Sequence, residues 1–359
     1  MAAATTDLPL VYSAEQLLES DGYDSPLIAG GVRCHGGFDE DGGYRSPRTL
    51  HRGPAIQAWQ DQLAREGAEL IQIERALMPP QYPNVDQAKL LLRHGVRDPI
   101  VRTLTIISIV EGFGAVIRDV GVPDLTKSVV EPVDGTALAH LRGGLFEAHA
   151  RDESGWREEG GHKQMWEAAR DLALERPKVP DDVLLRLMAR SGQRARGEGP
   201  LPELAPKLER LIAMMAQVLV VEVFAEGTFQ WGIDLLSDPE LSAEPERAGD
   251  MVRFIQSDES PHVEYLRTAL SELRTRTLRR KDGGTLPGRT AVDRVLHRIL
   301  SDMTRRRPEE QRADVRDDLA AEAQAAGAPS SFLDEFDALQ SPWSAPDRTG
   351  FEPTAEALG

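Results

Sequence analysis

The chain has 359 residues and a mass of 39.5 kDa, enough for one large domain or two. Hydrophobic residues make up 40% and charged residues 28%, which excludes disordered and fibrous classes. With 42 Lys+Arg against 59 Asp+Glu the formal net charge is −17, which argues against nucleic acid or an anionic membrane as the main partner. The single cysteine, Cys34, excludes a disulfide framework and fits a reducing compartment. No basic leader is visible near Met1, and no run of about 20 apolar residues stands out, so a cytoplasmic protein outside the membrane is expected.

Residues 1–53 are expected to be irregular, because glycines punctuate the stretch from Gly30 to Gly43. Within it, Cys34-His35 lacks a second cysteine and Asp39-Glu40-Asp41 lacks the downstream glutamate of a calcium loop, so both read as ordinary loop. From residue 54 the apolar spacing is helical without convincing alternation. It predicts helices over about 54–77, 85–119, 135–152, 154–176, 181–192, 203–236, 246–277, 289–305, 309–326 and 330–339. Asp98-Pro99 predicts a break inside the second of these, with a fresh helix from Pro99. The stretch 194–206 reads as a link between halves, and the residues from Ser341 on as a loosely held tail. The expected organisation is an irregular segment 1–53, a helical core 54–280, and C-terminal helices and tail 281–359 packing on the same domain.

Two of the expected helices are apolar most of the way round, which places them in a core. One carries the stripe Ile100, Leu104, Ile107, Glu111, Gly114, Ala115, and the other is nearly continuous apolar residues from Leu208 to Leu236, interrupted by Glu222 and Glu226. A carboxylate in such a place is costly unless something pairs with it. Two further segments carry Glu-x-x-His, Glu159 to His162 and Glu259 to His262, a spacing that puts both side chains on one helix face. Apolar residues keep the same phase, with Met165 and Ala169 after the first, Ile255 before the second and Leu266 after it. A lone Glu and a Glu-x-x-His from each half is the ligand inventory of a dinuclear carboxylate site in a four-helix bundle. The candidate ligands are Glu111, Glu159, His162, Glu226 or Glu222, Glu259 and His262. Four carboxylates balance two divalent ions, and mixed carboxylate and imidazole donors suit iron or manganese.

The local strings carry a resemblance. Glu158-Glu159-Gly160-Gly161-His162 is similar to the Glu-Glu-x-x-His of soluble acyl-carrier-protein desaturases, and Asp258-Glu259-Ser260-Pro261-His262 to the Asp-Glu-x-x-His of those desaturases, ribonucleotide reductase small subunits and ligand-binding oxidases. The chain thus resembles the ferritin-like dimetal-carboxylate superfamily over roughly residues 95–275. The resemblance implies an all-α fold with a ferritin-like four-helix bundle core and additional helices. It implies two iron ions, or iron with manganese, serving an oxidase or oxygenase that hydroxylates, desaturates or N-oxygenates a small organic or carrier-bound substrate with electrons from an external donor. A homodimer is one assembly it allows. The spacing from Glu226 to Glu259 is the closer to the family's, while Glu222, one turn earlier, faces the same way. The separation of Glu111 from Glu159 is longer than the family's, so the intervening 134–154 is an insertion whose His140, Glu147 and His149 are rival ligands. Gly160 and Gly161 leave room for substrate or a close backbone approach, or form a distorted turn. Ser260-Pro261 also reads as an N-cap and first helical position, and a kinked but continuous helix is expected there.

Two other functions compete. A ribonucleotide-reductase-type radical subunit calls for a tyrosine one turn after the first Glu-x-x-His, where this chain has Trp166. Iron storage is the other, and a purely structural helical protein stands with it. Basic residues Arg274, Arg276, Arg279, Arg280 and Lys281 read either as a solvated helix end or as a dock for an acidic carrier. Trp156, Trp166, Phe224, Phe229 and Trp231 read as core or as an apolar pocket beside the metals.

Overall fold

The structure is a computed structural model that describes residues 8–183 and 199–352. Most of the helix expected over 181–192, and the start of the link at 194, lie outside the described residues.

The N-terminal segment is more ordered than its composition implies. After a short helix α1 (Ala14–Leu17), strands β1 (Ser25–Ala29), β2 (Val32–Phe38) and β3 (Tyr44–Arg45) form an antiparallel sheet in the order β1-β2-β3. Gly30 and Gly31 both have positive φ, 58° and 82°, which makes the two-residue turn that a tight hairpin requires. The sheet is therefore built from the same glycines that suggested a loop.

Helices account for most of the rest. They are α2 (Arg52–Arg65), α3 (Val85–Arg93), α4 (Asp98–Gly114) with a 3-10 extension Ala115–Asp119, and α5 (Leu125–Ser128). A 3-10 turn and a π turn over Ala137–Leu145 lead into α6 (Phe146–Ser154), followed by α7 (His162–Ala173) and α8 (Pro206–Leu236). Next come α9 (Pro245–Asp258), α10 (Ser260–Arg274), the hairpin β4 (Thr277–Arg279) and β5 (Thr285–Pro287), α11 (Gly288–Ser301), α12 (Arg307–Ala325) and α13 (Phe332–Ala338). The expected helix over 54–77 stops at Arg65, and the one over 154–176 starts only at His162. Pro99 stands in the first turn of α4, and Pro261 in the first turn of α10. Backbone angles at Glu259 stay helical (φ −78°, ψ −24°), so α9 and α10 form one kinked run.

Two apolar clusters make up the interior. One gathers α2, the start of α6, the first two-thirds of α8, α10 and α11, through residues such as Trp59, Phe146, Leu219, Leu266 and Leu296. The other gathers β1, α3, α4, α7, the end of α8, α9 and α13, through Leu104, Trp166, Phe229, Ile255 and Phe336. Four segments pass from one cluster to the other: α8 at Glu222, α9–α10 at Glu259, α6–α7 between Glu153 and His162, and α4 with its extension between Ile107 and Ile117. The acidic and histidine side chains of these segments meet at that boundary.

Among the described residues, Asp98–Asp119 is the one helical stretch long and apolar enough to cross a membrane by length and composition. Its buried stripe, Ile100, Leu104 and Ile107, packs against α7 and α6, and the stripe continues into Glu111.

Candidate metal centre

Three histidines and four glutamates converge at the boundary between the two cores. Nδ1 of His162 lies 2.9 Å from Oε1 of Glu259 and 3.2 Å from Oε1 of Glu153. Nδ1 of His262 lies 2.8 Å from Oε2 of Glu259 and 3.2 Å from the same Glu153 oxygen. Glu153 and Glu259 thus each stand between two imidazoles. The other two glutamates flank this centre on opposite sides: Glu111 is 3.9 Å from His162 Nδ1, and Glu222 is 3.5 Å from Nε2 of His149. The ligand atoms of His149, Glu153, Glu222 and His262 lie within 4.8 Å of one another, as do those of Glu153, His162, Glu259 and His262. All of these histidines are fully buried.

A carboxylate backs each central histidine from behind. Nε2 of His262 lies 2.9 Å from Oδ2 of Asp152, and Nε2 of His162 lies 3.5 Å from Oδ2 of Asp258. An N–H donated at Nε2 leaves the Nδ1 lone pair aimed into the cluster, the tautomer a metal ligand needs. Arg48 Nε donates to Asp152 Oδ1 (2.6 Å) and Arg52 to Oδ2 (2.7 Å). Asp258 is held instead by Tyr44 Oη (2.8 Å) and His35 Nε2 (3.0 Å). Both partner sets come from the N-terminal segment. Arg48 adopts a positive φ of 53°, unusual for a side chain with a Cβ, and its own N–H is held by Ser20 Oγ at 2.8 Å.

Local chain geometry explains how His162 arrives. Helix α6 ends at Gly155, whose φ of 81° lets its N–H close back on the Arg151 carbonyl. Trp156 and Glu159 then pair backbone to backbone, and Gly160 docks alongside β2, its N–H donating to Arg33 O and its O accepting from His35 N. At Gly161 a Cβ would sit 2.3 Å from the Asp152 carbonyl oxygen, so only glycine fits where the loop crosses back over α6. The loop thus places Glu153 and His162, nine residues apart, in the relation that Glu259 and His262 reach at a separation of three.

Burial raises Glu111 and Glu222 well above the usual carboxylate range, and the charges of Glu153 and Glu259 push them further. Burial acts the same way on Glu153 and Glu259, but the imidazoles of His162 and His262 outweigh it and hold both below that range. Burial would lower His162 and His262, yet Glu259 foremost among their acidic neighbours raises both well above the usual histidine value. His149 runs the other way, pushed down to about 3 by burial and by His262, on which its ring stacks at 4.0 Å between centroids. The upward shifts of Glu111, Glu222, His162 and His262 all favour bound protons, which a metal ion must displace. In the cluster, His149 Nε2, His162 Nε2 and Glu259 Oε1 are buried without a well-aligned hydrogen bond among the described residues, although Glu259 Oε1 lies in ion-pair range of His162. His149 Nδ1 and Tyr265 Oη lie 3.3 Å apart, and in the tautomer that donates from Nδ1 the Nε2 lone pair is free. These buried oxygen and nitrogen donors could therefore hold a metal ion.

Of the residues singled out in the sequence, Glu111, His162, Glu222, Glu259 and His262 meet in this cluster. Glu159 does not: it sits in the loop after α6, on the surface, paired with Arg33 at 3.3 Å. Helix α6 ends at Gly155, before Glu159, and α7 starts only at His162, so no helix joins the motif's two ends. Glu153, unremarked in the sequence, stands in its place. Glu226, one turn past Glu222, faces away and contacts Arg75 and Gln256 on the half-exposed flank of α8. Of the rivals in the insertion, His149 joins the cluster. His140 instead accepts from Tyr12 N, and Glu147 pairs with Arg151. His35, read as loop, lies against Asp258. A signal for Glu153 was available, since Asp152-Glu153 repeats the Asp258-Glu259 pair.

The remaining candidates fall elsewhere. Arg274 pairs with Asp293, Arg276 is buried against backbone carbonyls, and Arg280 pairs with Asp282, so much of the basic run is spent within the chain. Trp166 stacks on Phe229 in the second core, Trp156 lies exposed beneath Arg151, and Phe224 and Trp231 line a cavity on the far side of α8.

No family model matches the chain, and no curated protein or solved structure does either.

Proposed function

We propose that this chain is a non-heme di-iron oxidoreductase that activates dioxygen to oxidise a small organic or carrier-bound substrate, built on a ferritin-like helical core. The observation that carries the reading is the matched pair of imidazoles, each with Nδ1 facing Glu153 and Glu259 and each with an aspartate behind it. Glu111 and His162 would hold one ion, and Glu222, His262 and His149 the other, with Glu153 and Glu259 between them. When bound, two ferrous ions supply the reducing electrons and open positions that oxygen chemistry requires.

The chain's own residues do the rest. Asp152 and Asp258 fix the orientation of His262 and His162, and the guanidinium groups of Arg48 and Arg52 keep Asp152 ionised. The two apolar cores exclude water from both flanks. Manganese in one position is accommodated by the same donors. A radical-carrying subunit is the second reading, favoured by Tyr265, which is fully buried with its hydroxyl 3.3 Å from His149 Nδ1.

Reconstitution with ferrous ion under anaerobic conditions, followed by metal analysis and then exposure to oxygen, tests the reading. About two ions per chain, with oxygen consumed in proportion to iron, are expected. Iron uptake far beyond that ratio would favour storage, and a persistent tyrosyl resonance lost in Tyr265→Phe would favour the radical subunit.

A further inference from the structure

A cavity of about 590 Å³ opens on the side of α8 away from the metal cluster. Phe224, Gly227, Thr228 and Trp231 form its floor, and at about 100° per residue these positions face opposite to Glu222. Met78 and Tyr82, from the segment before α3, supply one wall, and Met303 and Arg312, from the junction of α11 and α12, supply the other. The volume falls within the range of small-molecule sites, and the surface is mostly apolar with a few polar groups, as such sites are.

We propose that this cavity binds a small amphipathic anion, a carboxylate with an aliphatic or aromatic body, at a site separate from the metal centre. Gly227 leaves the floor open: a Cβ built there meets no atom within 4 Å, so the space above it is available to a guest. The rings of Tyr82, Phe224 and Trp231 and the thioethers of Met78 and Met303 accept an apolar body. Among the described residues, Asp86 and Arg312 are the charged side chains of the lining. Asp86 lies in the first turn of α3, where the positive end of the helix dipole engages it. Arg312, its guanidinium carbon 5.9 Å from the Tyr82 ring centroid, is the cationic side chain among the described lining residues, and it selects an anionic end. The inference does not depend on metal binding, since the cavity and Glu222 occupy opposite faces of α8.

Dodecanoate is the probe, titrated calorimetrically into the full-length protein and into Gly227→Leu and Arg312→Ala. One-to-one binding is expected, weakened by more than about tenfold in Gly227→Leu, where the leucine fills the floor, and by about tenfold in Arg312→Ala, with dodecan-1-ol binding correspondingly more weakly. A Cβ at Gly227 meets no atom within 4 Å and leucine favours a helix over glycine, so the circular dichroism of Gly227→Leu is expected to remain that of the parent. Absence of dodecanoate binding, or binding that both variants leave intact, would overturn the proposal.

Discussion

Oδ2 of Asp152 lies 2.9 Å from Nε2 of His262, although the two residues are 110 positions apart. The mirror contact, Asp258 with His162, completes a crossed pattern in which each Asp-Glu pair offers its glutamate to the cluster and its aspartate to the other half's histidine. The two aspartates differ in what holds them, and that difference predicts different failures. Asp258→Asn leaves no buried guanidinium unpaired, since Tyr44, His35 and His162 face it, so the fold is kept and metal affinity falls by about 10- to 100-fold. Asp152→Asn leaves Arg48 and Arg52 buried beside an uncharged group, and adds a loss of stability of about 3 kcal/mol. Urea denaturation and metal titration of both variants separate the two effects; equal stability would contradict the assignment.

The placement of Glu153 predicts which glutamates matter. Glu153→Ala and Glu222→Ala should each reduce bound metal below half of the parent's ratio, whereas Glu159→Ala and Glu226→Ala should leave it unchanged. Both lie at the half-exposed periphery, where their ion pairs with Arg33 and Arg75 are each worth about 1 kcal/mol or less. Metal-to-protein ratios after desalting decide the matter.

Gly114, at the end of α4, predicts opposite responses in stability and binding. A Cβ there would stand 2.7 Å from Cγ and 2.9 Å from Cδ of Glu153, forcing that side chain to shift. Alanine also favours the helix by up to about 1 kcal/mol. Gly114→Ala should therefore weaken metal binding by about tenfold while the melting temperature of the metal-free protein stays level or rises. A parallel fall in both would show that Glu153 is not the group displaced.

The register of the sequence's message varies from place to place. The apolar stripe ending in Glu111, the interruption of α8 at Glu222, and Glu259-x-x-His262 were legible because helical phase alone places them at the core boundary. Glu222 could not be separated from Glu226 by phase, since residues four apart share a face; the packing of Arg75 and Gln256 on the outer flank makes the distinction. Glu159 misled because Glu-x-x-His has meaning only on a helix, and Gly155, Gly160 and Gly161 turn that stretch into a loop. The roles of His35, Tyr44, Arg48 and Arg52 depend on a sheet contact between β2 and Gly160, a long-range pairing that no local pattern announces.

Glu272 carries a pH prediction outside the centre. It accepts from the N–H groups of Ala137 (3.0 Å) and Leu138 (3.1 Å) within the first core, and burial nonetheless raises its carboxyl to about 7. A pKa raised on folding means that the folded state binds the proton more tightly, so this stabilisation is complete below the ordinary glutamate value of 4.5 and is lost as pH rises toward 7. The loss amounts to up to about 3 kcal/mol. Relative to Glu272→Gln, the parent should lose stability between pH 5 and pH 8, as read from paired urea midpoints. A difference that does not change with pH would refute the titration.

Metal stoichiometry in the parent and in Glu153→Ala tests the central claim most directly. Anaerobic ferrous reconstitution, removal of loose ions and elemental analysis should give about two iron ions per parent chain, with much less than one in Glu153→Ala, whose folding is checked by circular dichroism. Trace metal in the parent, or the same two ions in a folded Glu153→Ala, would contradict a dinuclear site at the meeting of the two cores.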